Sequence, residues 1–225
     1  MAHEARKRSI DNLQRVYTVV VSLAIAESLR RLFASQDPPA FSLPLPATIA
    51  AMALIVTVVP FYHGANRYLD ATYVTGQRGA KSGALMLDFV AIFVEGIVFF
   101  LLALLVGSEA SFYTLLSGLF LFDAAWVGLT RLTSEGRDEP GSKYVIWAGA
   151  NVLAAVLLLL SHWSNLLNWE FWSSQNVRTL ASGAIALGRT IFDYASVWSF
   201  YYPPAPEDRY LMPVPRPAPP PHRRR

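Results

Sequence analysis

Six apolar stretches, each close to 20 residues long, alternate with short polar segments along the chain, and ionisable side chains interrupt most of them. They cover about 16–33, 47–64, 84–106, 112–129, 144–163 and 177–201. Because ~20 residues at ~1.5 Å of rise each cross ~30 Å of hydrocarbon, each stretch predicts a transmembrane helix. The fold class expected is therefore all-α: a polytopic integral membrane protein with six transmembrane helices over 16–202. Asp37, Pro38 and Pro39 close the first stretch, since proline cannot continue a helix. Residues 1–15 form a basic leader, and with Ala24, Ile25 and Ala26 the segment 1–26 also has the outline of a secretory signal with an A-x-A cleavage site. The length of that leader favours a retained anchor.

Composition agrees with the pattern. Of the 225 residues 53% are hydrophobic and only 16% charged, and mean hydropathy is +0.33, too apolar for an ordinary soluble domain. Without cysteine there is no disulfide framework, thiolate metal site or cysteine nucleophile.

Charge placement sets an orientation. With the N-terminus inside, fifteen of the nineteen Lys and Arg residues fall on cytoplasmic segments, among them Arg6, Lys7, Arg8, Arg15, Arg78, Lys81, Arg131, Arg137 and Lys143. Arg30, Arg31 and Arg178 fall outside, and Arg189 lies within the sixth stretch. This positive-inside imbalance predicts an even number of crossings with both termini cytoplasmic, in the cell membrane if the source is bacterial. Trp126, Trp147 and Trp198 are expected in an inner aromatic belt, with Trp163, Trp169 and Trp172 in an outer one. Residues 162–175 are too polar to span and read as an interfacial amphipathic segment. The tail 203–225, rich in proline and ending in three arginines, reads as disordered or extended polyproline II. It is either a solvated segment near anionic lipid or a docking peptide for a cytoplasmic partner.

The ionisable residues inside the stretches are the candidate chemistry: Glu27, Asp88, Glu95, Asp123, Arg189 and Asp193. A charge at mid-membrane depth costs at least ~2.5–3.5 kcal/mol, so such residues face one another, water or a ligand. Asp88 and Glu95, seven apart, project from nearly one face of the third helix. Asp123 and Asp193 are expected at comparable depth. Four carboxylates in the cytoplasmic half form a cation-attracting site if they converge, suited to protons or hard cations. The alternative is local neutralisation: Arg189 and Asp193 at i, i+4, or Glu27 held by Arg30 and Arg31. Asn151 in the fifth stretch is a natural interhelical hydrogen-bonding residue.

A second polar group lies at the cytoplasmic end of the second stretch. If the helix continues there, His63, Arg67 and Asp70 form an i, i+4, i+7 stripe able to hold a phosphate or carboxylate, with a histidine titrating near neutral pH. Read plainly, it is an interfacial boundary. Pro60 and Gly64 make this helix bendable. Ala184 with Gly188, and Ala150 with Ala154, are small-x-x-x-small pairs that permit close helix contact; Gly96 and Gly118 offer the same beside Glu95 and in the fourth helix.

No P-loop, nucleophile elbow or H-E-x-x-H zinc motif occurs, so the expectation is not an enzyme. A lipid-phosphate enzyme using His63 and Arg67 is a distant third reading. The arginines are accounted for by membrane orientation, which leaves no nucleic-acid surface. No cofactor or metal is named by the sequence. The expected function is a small channel or transporter moving protons or cations along Asp88, Glu95, Asp123 and Asp193, as a homo-oligomer in the lipid bilayer. The alternative is a membrane sensor, effector or accessory subunit whose buried charges are structural and which acts through a partner.

Overall fold

The computed structural model describes residues 2–34, 43–75, 79–80, 83–135, 142–163 and 174–202. They form the helices α1 (Ala2–Ala34), α2 (Leu45–Leu69), α3 (Ala84–Leu104), α4 (Glu109–Thr133), α5 (Ser142–Trp163), α6 (Gln175–Ser196) and the one-turn α7 (Trp198–Tyr201). A π-helical turn, Asp70–Val74, extends α2. Among the described residues the extended backbone pairing is two residues long, Gly79 and Ala80 lying antiparallel to Glu135 and Ser134. Most of segment 162–175 and the whole of 203–225 lie outside the described residues.

Four helices are long and apolar enough to cross a bilayer among the described residues: α2 with its π extension, α3, α4 and α5. The helices α1 and α6 reach 33 and 22 residues but interrupt their apolar runs with charge. Two boundaries differ from the sequence reading. The second helix does not stop at Gly64 but runs to Leu69, with the Oη of Tyr201 in van der Waals reach of Gly64. The sixth stretch is broken at Val197 (φ −128°, ψ 31°), and α7 folds back from there toward α2.

On α6 and α3, polar residues turn inward and large apolar ones turn outward beside an apolar core that includes Leu54, Phe99 and Leu116. On α6 the inward residues are Thr179, Ser182, Ala186, Arg189 and Asp193, at alternating spacings of three and four, whereas Leu180, Leu187, Ile191 and Phe192 are exposed. On α3, Asp88 and Glu95 are buried while Met86, Phe89, Phe93 and Ile97 face out. Helices that turn large apolar side chains outward are matched to lipid, where every backbone polar group must be satisfied within the helix.

The helices close a ring in the order α1, α3, α4, α5, α6, α2, with α2 also touching α3 and α4. At the α1–α3 contact, a Cβ on Gly96 would come within 3.1 Å of Val20 Cγ1, so a small residue is needed there. Gly118, Gly188 and the exposed Ala184 make no such contact, while Ala154 is buried. Gly107, at φ 102°, supplies the left-handed residue of the tight turn between α3 and α4. The kink-prone Pro60 removes one helical hydrogen bond, freeing the carbonyl of Val56. Thr190 Oγ1 of α6 donates to that carbonyl at 2.9 Å, tying α6 to α2 where α2 is weakest.

Several contacts gather at one end of the ring. The backbone pairing joins the α2–α3 and α4–α5 connections. Gln14 of α1 donates to Asp70 at 3.4 Å, and Arg67 Nε donates to the carbonyl of Phe200 in α7 at 3.3 Å. At the opposite end, Ser182 of α6 meets His162 Nε2 at 2.8 Å and Ser161 at 3.2 Å.

Candidate functional site

The ring positions three buried carboxylate centres. The first is built around Arg189 of α6, whose side chain is 3% exposed. Its Nη1 lies 3.0 Å from Asp193 Oδ2, one turn along, and its Nη2 lies 3.8 Å from Asp123 Oδ2 on α4. Its Nε donates to Asn151 Oδ1 on α5 at 2.7 Å, and the amide of Asn151 donates to Asp123. The guanidinium packs over the rings of Phe61 and Phe120, 4.8 Å and 5.4 Å from their centroids. Such faces attract a cation, and they shield this one from solvent. Tyr201 closes the far side, donating to Asp193 at 3.1 Å. One guanidinium thus serves two acids.

Glu95 of α3 is the second centre and is fully buried. Tyr17 of α1 donates to its Oε2 at 3.2 Å, and its Oε1 has no hydrogen-bond partner. The third is Asp88, which accepts from Tyr73 at 2.6 Å and from Trp126 Nε1 at 3.0 Å. Both are charge-assisted bonds, roughly twice as strong as neutral ones. They pin the π turn and the indole to α3.

Glu95 and Asp123 share a cavity with about 40 Å³ open to the centre of a water molecule, room enough for water. Two helices supply most of its wall with matching stripes, Phe61, Gly64, Ala65 and Tyr68 on α2 and Asp123, Trp126, Val127 and Thr130 on α4. Each is an i, i+3, i+4, i+7 set, so the cavity extends ~10 Å along the helices, with Trp147 of α5 on one side. Tyr68 packs edge-on against Trp126, ring centroids 5.7 Å apart.

The remaining predicted residues are placed elsewhere. Glu27 takes two bonds from Arg30 at 2.7 Å and one from Arg31 at 2.8 Å, a local clamp on α1. His63 Nδ1 meets Tyr194 Oη at 3.3 Å, and its ring packs on Tyr201 at 4.8 Å. His63 thus contacts α6 and α7, Arg67 contacts α7 and Asp70 contacts α1. Trp126 is no belt residue: it is 9% exposed and holds Asp88. Trp147 also turns inward, to the cavity and to Phe200, whereas Trp198 is exposed.

The sequence reading missed the hydroxyl and indole partners, namely Tyr17, Tyr73, Trp126 and Tyr201, together with Thr190. Each sits on a helix face whose neighbours only the tertiary arrangement supplies. Polar aromatic residues deep in apolar runs were the available signal, since a buried Tyr hydroxyl or Trp N–H needs a partner. Among the described residues no group of three or more His, Cys, Asp or Glu is placed to hold a metal ion.

No protein-family model, curated protein or solved structure matches the chain.

Proposed function

We propose that the protein is a six-helix integral membrane transporter or channel for protons or cations, with both termini cytoplasmic and Glu95 as its central exchange group. The observation that carries this reading is the state of Glu95: a fully buried carboxylate with one free oxygen, lining a cavity that presents a second acid and no base. Intramembrane acids of this kind mark ion and proton pathways. Asp123 extends the polar track to Arg189, Asp193 and Tyr201.

Six crossings are supported by the apolar outer faces of α1 and α6, where Val16, Val19, Leu23, Leu180, Leu187 and Ile191 are exposed around an inward polar stripe. The cytoplasmic orientation rests on the positive-inside imbalance, and the clustering of Gln14, Asp70 and Phe200 at one end agrees with an even number of crossings. Cysteines at Ser134 and Ser173 should be labelled from opposite sides of the membrane; labelling from one side removes the topology. Ala184 and Gly188, exposed on α6, suit a homo-oligomeric contact that cysteine cross-linking can detect.

Transport is tested in proteoliposomes by proton and alkali-cation flux for the wild type, Glu95→Gln and Asp123→Asn. Flux that both substitutions leave unchanged eliminates this pathway.

A second reading, an accessory or sensor protein whose charges lock helices together, is favoured by the pairing of Arg189 with two acids and Asn151. It predicts a native partner captured through residues 203–225 and no flux by the isolated protein.

A further inference from the structure

The cavity wall carries more than carboxylates. Four aromatic rings, Phe61, Tyr68, Trp126 and Trp147, line it together with Glu95 and Asp123. The Arg189 and Asn151 contacts of Asp123 both go to its Oδ2, while Glu95 Oε1 has no hydrogen-bond partner, so the two acids together make the wall negative. We infer that this cavity is a binding site for an alkylammonium ion the size of methylammonium, held by the Glu95 carboxylate and flanked by the Tyr68, Trp126 and Trp147 rings. The inference rests on the transport reading above and narrows its substrate class.

The chemistry of the wall separates this ligand from an inorganic cation. A hard metal ion requires six or more oxygen ligands, or retains its water. Here the wall is mostly apolar and includes four aromatic rings. Ring faces attract a cation whose charge is spread over methyl or methylene groups, and cages of this type recognise quaternary ammonium ions. An alkylammonium loses less hydration than a metal ion on entering such a wall, and the carboxylate balances its charge.

The cage is also held in shape. Trp126 cannot rotate freely because its Nε1 donates to Asp88, Tyr68 packs edge-on against it, and Trp147 rests on Phe200. On the remaining side, Tyr17 fixes one oxygen of Glu95, and the other is left without a hydrogen-bond partner. Walls fixed before the ligand arrives lower the ordering cost of binding. Asp88 is in this account a positioning residue, acting through Trp126.

The experiment is a titration of the purified full chain in nanodiscs with methylammonium, followed by tryptophan emission and calorimetry, beside proton flux in proteoliposomes. Saturable binding is expected, weakened at least about tenfold in Glu95→Gln and in Trp147→Ala but retained in Glu95→Asp. Retention by the conservative variant shows that charge, and not folding, is lost in Glu95→Gln. Absence of saturable binding by the wild type overturns the inference, as does binding that Glu95→Gln leaves intact. If proton flux then still depends on Glu95, the transport reading stands without the organic cation; if flux is also absent, both fail.

Discussion

Arg189 on α6 donates its Nε to the side-chain carbonyl of Asn151 on α5 at 2.7 Å, and the amide of the same Asn151 donates onward to Asp123 on α4. Three helices are thereby joined through one uncharged side chain. Replacing it with leucine leaves both a guanidinium N–H and a carboxylate oxygen unsatisfied in a buried site. Asn151→Leu should lower stability by ~2–3 kcal/mol, read from thermal or chemical unfolding in detergent micelles. Arg189→Met, which strands two acids, should cost ~3–5 kcal/mol, and adding Asp123→Asn should recover part of that loss. A double variant no less damaged than the sum of its parts contradicts the pairing.

Thr190→Val tests the repair at Pro60. The substitution keeps shape and removes the hydroxyl that caps the carbonyl of Val56. The expected loss is ~1 kcal/mol, together with faster amide exchange in α2 on either side of Pro60. Exchange indistinguishable from the wild type would show that the carbonyl is satisfied in some other way.

Asp88→Asn keeps the size of the side chain and removes the charge that Tyr73 and Trp126 share. Charge-assisted bonds become neutral ones, so stability should fall by ~1–2 kcal/mol. Tryptophan emission should shift as the Trp126 indole loses its anchor, while Glu27→Gln, in the α1 clamp with Arg30 and Arg31, should leave that emission unchanged. Equal shifts in the two variants would mean that the indole reports general loosening.

Much of the helical layout is legible in the sequence because a 20-residue apolar run has few other options. The positions of α3, α4 and α5 follow from length and composition alone. The end of α2 did not, since its last turn bonds to Gln14 of α1 and to Phe200 of α7, both remote in the chain. The i, i+4 pairing of Arg189 with Asp193 and the clamp of Glu27 by Arg30 and Arg31 were readable because both partners lie on one helix. Which acids meet across helices was not. Glu95 and Asp123 share a cavity while Asp88 is enclosed by Tyr73 and Trp126, and that distinction depends on helix rotation and neighbour order. Hydropathy fixes neither, because lipid-facing and core-facing residues are both apolar. For the same reason Trp126 and Trp147 read as belt residues until their helices are packed.

The measurement that bears most directly on the central claim is pH-gradient-driven proton flux into proteoliposomes, comparing the wild type with Glu95→Gln at matched protein incorporation. The account predicts measurable flux for the wild type and a fall of at least about tenfold for Glu95→Gln, as removal of the one central exchange group requires. Wild-type flux that survives unchanged in Glu95→Gln would contradict it.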